Sequence, residues 1–158
     1  MFESSRRLSG EVVEILEAIR GLGEGRYACV VEPRGIVFES PEPEGREAWA
    51  LRRFLEDKCA ALFAIPRAMA EGTDLEDAFD GWHQDEFLLA FINGRVALVV
   101  ACPDAESLRE RAFPLLKALA DRLFRYNETY RLDPEGRGLF VGRPRLDIVV
   151  VGGAGEGG

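Results

Sequence analysis

The chain has little of what most catalytic and nucleic-acid sites are made from. It carries one histidine, His83, and no Ser or Cys nucleophile stands beside it with an orienting acid, so no triad-type set is on offer. Positive charge is in deficit. Twenty Lys and Arg against 28 Asp and Glu leave a net charge of −8, a mean field that repels phosphate backbones and anionic lipid. Nucleic acid is therefore not an expected partner. No apolar run is long enough to cross a bilayer, and Met1 to Ser9 lacks an apolar signal core, so the expectation is a cytoplasmic protein without membrane insertion. Cysteines are few and scattered: Cys29, Cys59 and Cys102 each sit in an apolar segment and read as buried hydrophobes in a reducing compartment, not as bridges or zinc ligands.

What is present is a core-forming pattern. With 158 residues, 47% of them hydrophobic, the chain has enough apolar surface for one compact domain without disulfide or metal support. Two hairpin-then-helix units follow one another. In the first, Tyr27 to Val31 and Ile36 to Ser40 flank Glu32-Pro33-Arg34-Gly35, where Pro33 presets φ for a turn and Gly35 is free to take a left-handed conformation. In the second, Phe87 to Ile92 and Val96 to Val100 flank Asn93-Gly94, a dipeptide that tolerates the positive φ angles of a tight hairpin.

Helical periodicity fills the remainder. A first helix is predicted to start after Ser9, with Val12, Ile15, Leu16 and Ile19 on one face and Gly21 and Gly23 as its stop. From Arg46 to Ala70 the residues Leu51, Phe54, Leu55, Leu62, Ile65 and Met69 form a stripe facing the sheet, with Pro66 predicting a kink or restart near Ala64. The stretch Leu75 to His83 fits a short capped helix or a strand; the strand is favoured. A last helix is predicted from about Ala105 to Tyr126, capped by Asp104, kinked at Pro114, with Leu108, Ala112, Leu115, Leu119 and Leu123 on one face. Leu146 to Val151 reads as a strand between Gly-rich stretches, either an added strand of the same subunit or an edge shared with a neighbour.

Several clusters look chemical and read better as structure. Asp74, Glu76, Asp77, Asp80, Asp85 and Glu86 crowd one segment, but their spacing matches no EF-hand, and no metal is predicted. Gly21-Leu22-Gly23-Glu24-Gly25 follows a helix and precedes a strand, the wrong order for a dinucleotide-binding loop. Arg52, Arg53, Arg67, Arg109, Arg111, Arg122 and Arg125 lie mainly on polar helix faces, where they can pair with nearby carboxylates such as Glu56 and Asp121. No catalytic residue and no cofactor is assigned.

The element order, with Glu32-Pro33-Arg34-Gly35-Ile36-Val37 in the first hairpin, Phe91 to Val100 in the second and Pro103-Asp104-Ala105 leading into the last helix, resembles the roadblock, or dynein light chain roadblock, family. Profilin-like and longin-like relatives, built on a related sheet, read almost as well. The resemblance runs from about Glu11 to Arg125 and makes Leu75-Glu76-Asp77-Ala78-Phe79 a third strand. It implies an α/β (α+β) fold: one antiparallel sheet of about five strands, helices on both faces, order α-β-β-α-β-β-β-α, and a C-terminal strand extension. Residues 1–126 would be the roadblock-like domain, and 127–158 an extension with one strand and a Gly-rich tail.

For function the resemblance implies a non-enzymatic homodimer that regulates or scaffolds a small Ras-like GTPase, with the middle helix and a sheet edge in the subunit contact. The residues allow this independently. Opposite the core stripe of the middle helix lie Trp49, Ala60, Phe63, Ala64 and Arg67, an aromatic and alanine patch where a solvated helix would show only charge. Its competing explanation is that Trp49 and Phe63 tuck under a neighbouring loop. Two other functions remain open: a dimeric acidic chaperone or adaptor, marked by an apolar groove away from the dimer contact, and a small-ligand sensory domain, which needs a closed pocket under the middle helix.

Overall fold

The computed structural model describes residues 2–40, 43–65, 85–130 and 145–151, with only the backbone for 2–9 and 124–130. Five strands form one sheet: β1 (Tyr27–Glu32), β2 (Gly35–Ser40), β3 (Glu86–Ile92), β4 (Val96–Cys102) and β5 (Leu146–Val151). Their order is β2-β1-β4-β3-β5, and every neighbouring pair is antiparallel. The helices are α1 (Phe2–Leu22), α2 (Gly45–Leu62), α3 (Ala105–Arg111) and α4 (Phe113–Tyr130).

Strand alternation divides the core in two. Ala28, Val30, Leu88, Ala90, Ile92, Val96, Leu98 and Val100 face α1, α3 and α4; Tyr27, Cys29, Val31, Phe87, Leu89, Phe91, Ala97 and Val99 face α2. Because β3 and β4 are covered on both sides, they read as unbroken apolar runs and not as alternating ones. The mixed α/β class, the single antiparallel sheet and the helices on both faces stand as the sequence predicted. The fifth strand is β5, which pairs along β3 from Leu146 opposite Ile92 to Val151 opposite Phe87. The proposed strand at Leu75–Phe79 and the rest of 75–83 lie outside the described residues, as do His83, Arg67, Pro66 and the acidic residues Asp74, Glu76, Asp77 and Asp80.

Local chemistry explains the turns. Asn93 and Gly94 take φ of 52° and 66°, the left-handed pair the second hairpin requires. Asn93 also ties β5 to that hairpin: its Oδ1 accepts the Arg145 N–H at 2.6 Å, and its own N–H donates to the Arg145 carbonyl at 2.9 Å. Gly35 differs from expectation, with a nearly extended φ of 159° instead of a left-handed one. The glycines after α1 are a helix stop and a close approach: the Gly25 N–H returns to the Arg20 carbonyl at 2.8 Å, and a Cβ on Gly25 would stand 3.0 Å from the Ala101 carbonyl oxygen.

Two helix boundaries differ from the sequence reading and one agrees with it. The first helix starts at Phe2, so Ser9 lies inside it and not at its start. The middle helix breaks after Leu62, where Phe63 and Ala64 close a turn onto the carbonyls of Ala60 and Ala61, at the place where a kink or restart was expected. The last helix is broken in two at Ala112, since Pro114 has no N–H and its ring clashes with the carbonyl four residues back. That break shifts the phase: Leu116, not Leu115, is buried with Leu119 and Leu123, while Leu115 is half-buried. Asp104 caps α3 as expected, accepting the Ser107 N–H at 3.1 Å, and Glu86 accepts the Ala105 N–H at 2.9 Å.

Candidate protein-interaction surface

α2 is amphipathic in an unusual way. Leu51, Leu55, Cys59 and Leu62 are buried against the sheet, as helical spacing requires. A clamp of polar side chains fixes its azimuth. Tyr27 Oη donates to Glu39, the Arg52 Nε donates to the same carboxylate at 2.7 Å, and Arg52 Nη1 reaches Glu56 at 2.6 Å. Near the start of the helix, Arg26 bridges Glu47 at 3.1 Å and the buried Asp85 at 3.6 Å. Burial pushes the Tyr27 phenol and the Cys29 thiol well above their ordinary range, and the hydrogen bond to Glu39 raises the already high value of Arg52. Tyr27, Cys29 and Arg52 therefore hold their protons at neutral pH.

The outer face of the helix is exposed and partly apolar. Trp49 is 52% exposed, and Ala50, Ala60, Ala61 and Ala64 are exposed with it. A shallow groove of about 480 Å³ runs between Arg46, Trp49, Ala50, Arg53, Phe54 and Asp57. The Arg52 guanidinium lies 5.7 Å from the Trp49 ring centre, and the Lys58 ammonium lies 5.5 Å from that of Phe54. Among the described residues Arg46, Arg53 and Asp57 form no ion pair, although Arg53 and Asp57 are one helical turn apart.

Of the residues singled out in the sequence, Trp49, Ala60 and Ala64 come together on this exposed face, and Arg67 lies outside the described residues. Phe63 leans the other way. It is half-buried, with its ring edge-on to Phe91 at 5.7 Å between centroids, so it is shared between core and surface. Phe54, placed on the core stripe by periodicity, is half-buried as well and stacks on Phe87 at 6.4 Å. The sequence reading missed the charged members of the face, Arg46, Arg53 and Asp57, although they recur at the same helical spacing as the alanines. The space between α2 and the sheet holds Leu62, Phe87 and Phe91, all buried.

A second groove, of about 500 Å³, lies at the opposite edge between α3, α4 and β5, lined by Arg109, Glu110, Phe113, Leu146 and Ile148. Phe113 is 45% exposed there, under the Lys117 ammonium at 5.7 Å. Of the helix arginines, Arg52 holds Glu56 at 2.6 Å, and Arg122 holds Glu11 at 3.0 Å and Asp121 at 3.1 Å. Cys29, Cys59 and Cys102 are buried free thiols. Among the described residues no helix is long and apolar enough to cross a membrane.

No protein-family model matches the chain, and no curated protein matches it. Solved structures do resemble it. An MglB described with a tetrameric arrangement is 19% identical, covering 75% of this chain and 92% of its own, with a TM-score of 0.47. The gliding protein MglB of Thermus thermophilus is 18% identical over 72% of this chain and 91% of its own, with a TM-score of 0.46. Myxococcus xanthus MglB is 13% identical over 75% of this chain and 96% of its own, with a TM-score of 0.48. At such identities and scores the likeness is one of loose backbone arrangement and assigns neither partner nor activity.

Proposed function

We propose that this chain is a non-enzymatic, homodimeric protein-binding module of the cytoplasm that regulates or scaffolds a small Ras-like GTPase. The observation that carries the reading is the outer face of α2, where Trp49 is half exposed among alanines and among Arg46, Arg53 and Asp57, which form no ion pair among the described residues. The residue pattern of the two hairpins, which resembles the roadblock family, supplies the partner class. Regulation of this kind needs no catalytic group from the module, which acts by favouring one arrangement of the GTPase's own switch segments.

Two measurements test it. Light scattering on the purified chain is expected to give about twice the monomer mass. Calorimetry against the small Ras-like GTPase encoded nearest to it in its genome, loaded with a non-hydrolysable GTP analogue or with GDP, is expected to show binding that differs between the two nucleotides. A monomer with no nucleotide-dependent binding overturns the proposal. The adaptor alternative draws on the apolar groove of Phe113, Leu146 and Ile148, which lies away from α2. It gains if a dimer forms, no GTPase binds, and Phe113→Ser removes the affinity for another protein.

A further inference from the structure

Charge is distributed unevenly along the strand axis. Both hairpin turns and the start of β5 lie at one end of the sheet, because Val31 pairs with Ala97 and Leu146 with Ile92. That end exposes Arg34, Arg95 and Arg145, with the half-buried Glu32 and Asp147 as the acids beside them. Arg34 and Arg95 form no ion pair among the described residues, and Arg145, whose side chain is 71% exposed, is paired with Asp147 of its own strand at 3.2 Å. The opposite end gathers Glu24, Glu44, Glu47, Asp85, Glu86 and Asp104 against Arg20, Arg26 and Arg46. A chain with a net charge of −8 thus presents a cationic row at its hairpin tips. Beside the last member of the row, the groove of about 500 Å³ opens over Leu146, Ile148 and Phe113. We propose that the hairpin end of the sheet, together with this groove, is a docking site for an extended acidic segment of a partner protein that carries one large apolar side chain.

Strand spacing sets the pattern of that segment. The β1–β2 turn and the β3–β4 turn stand two strand intervals apart, roughly 10 Å, and β5 lies about 7 Å further on. An extended peptide advances roughly 3.3 Å per residue, so carboxylates at positions i, i+3 and i+5 meet Arg34, Arg95 and Arg145 in turn. A large apolar residue near i+7 then reaches the groove. On its wall Arg109 and Glu110 offset each other, and the apolar floor sets what enters. Phe113, 45% exposed in the free chain, is the side chain that such an anchor covers. The row favours a short segment over a long polyanion. A nucleic acid or an anionic membrane also meets the negative field of the rest of the molecule, whereas a short segment feels mainly the arginines it touches, because charges further off than roughly 8 Å are screened. The site lies apart from the outer face of α2, so it stands or falls independently of the homodimer reading.

The test uses the full chain and a fluorescein-labelled synthetic peptide, Glu-Ser-Ser-Glu-Ser-Glu-Ser-Phe, read by fluorescence anisotropy. Saturable binding with a Kd below about 1 mM is expected. Replacing the peptide's phenylalanine by serine, or raising the ionic strength from about 0.05 to about 0.5 M, should each weaken it at least about fivefold. Arg34→Gln with Arg95→Gln should weaken it at least about tenfold, and Phe113→Ser at least about fivefold. These side chains are exposed, so the variants are expected to fold. Ala18→Glu with Gly21→Glu lowers the net charge by the same amount on the exposed surface of α1 and should leave binding within about twofold. Equal weakening by this pair would reduce the effect to the mean field and overturn the site, as would a native chain that fails to bind the peptide. Two further results would assign the row to another occupant and overturn the proposal in the same way. One is binding to vesicles of one part phosphatidylserine in three without binding to the peptide. The other is a mass that grows with concentration in light scattering and is held at its lowest value by Arg34→Gln with Arg95→Gln, again without peptide binding, which would put the acidic end of a second copy on the row.

Discussion

The two faces of the sheet are closed by different means. On one, α1 lies over β1 and β2, α3 lies over β3 and β5, and α4 packs on α1, and the layer is filled mainly by aliphatic side chains, with Phe38 at its β2 edge. On the other, α2 is the helix that the described residues provide, and it lies nearest β1 and β2. A five-strand sheet is roughly 20 Å across and a helix with its side chains about 10 Å, so one helix leaves much of the sheet beyond its reach. Aromatic side chains span the difference: Phe54 and Phe63 on the helix side extend to Phe87 and Phe91 on β3. The second face also carries the polar clamp of Tyr27, Glu39 and Arg52 and two of the three thiols. Among the described residues, the α2 layer thus rests on a few large contacts, while the opposite layer spreads its stability over many small ones.

The largest effects should come from breaking each layer at its centre. Phe91→Ala removes a fully buried ring that receives Phe63, and we expect a loss of about 4 kcal/mol in urea unfolding; Leu98→Ala on the opposite face of the sheet should cost about 3 kcal/mol. If the aliphatic face proves the more sensitive, the dependence of the α2 layer on few large contacts is mistaken.

Alkaline pH separates the faces by their titrating groups. Burial pushes Cys59, on the α2 face, and Cys102, on the other, from 9.0 up to about 11. A folded-state pKa above the unfolded one means that the stabilising effect is fully present below pH 9 and is lost as pH rises through about 11, because the unfolded chain gives up its protons first. The loss is on the order of 2 kcal/mol per thiol. Burial raises Tyr27 further, so the decline continues above pH 10 on the α2 face alone. Thermal melts between pH 8 and 11 should therefore flatten more with Cys59→Ala and Tyr27→Phe together than with Cys102→Ala.

Much of this architecture is legible in the residues, for reasons that can be named. β3 and β4 stand out because two-sided burial leaves no polar residue in Phe87–Ile92 or Val96–Val100, and Asn93-Gly94 can hardly sit anywhere but a tight turn. β5 is equally plain as Leu146–Val151, although its place beside β3 depends on contacts 52 residues apart in sequence, such as Asn93 with Arg145. Helix ends are less legible. Pro114 announces a disturbance but not that the helix divides at Ala112 and turns Leu116 inward in place of Leu115. The exposed face of α2 follows from the buried one by subtraction, which is what brings out Trp49, Ala60 and Ala64. Phe63 departs from that subtraction because it is the first residue past the helix, where regular spacing stops predicting orientation.

A smaller change probes how β5 is held. Asn93→Ala both forces an alanine to a φ of 52° and deletes the acceptor of the Arg145 N–H, for an expected cost of about 1 to 2 kcal/mol. Asn93→Gly keeps the turn and loses only the acceptor, so it should cost less. Faster amide exchange confined to β5 in the glycine variant would show that the hairpin anchors the edge strand; unchanged exchange would mean that pairing with β3 is enough.

The smallest effect is expected from the residue that looks most conspicuous. At concentrations where the chain is monomeric, Trp49→Ala should change stability by no more than about 0.5 kcal/mol, since half the ring is already in water and Arg52 keeps Glu39 and Glu56 as partners without it. Phe63→Ala, on the same helix end of the layer, should cost at least about 1.5 kcal/mol because it strips the edge contact from Phe91. At concentrations that favour the dimer of the proposed function, Trp49→Ala should cost more than it does in the monomer, while Phe63→Ala should keep mainly its cost to the core. A tryptophan that matters equally at both concentrations would belong to the fold, and the outer face of α2 would lose its strongest claim to be an interface.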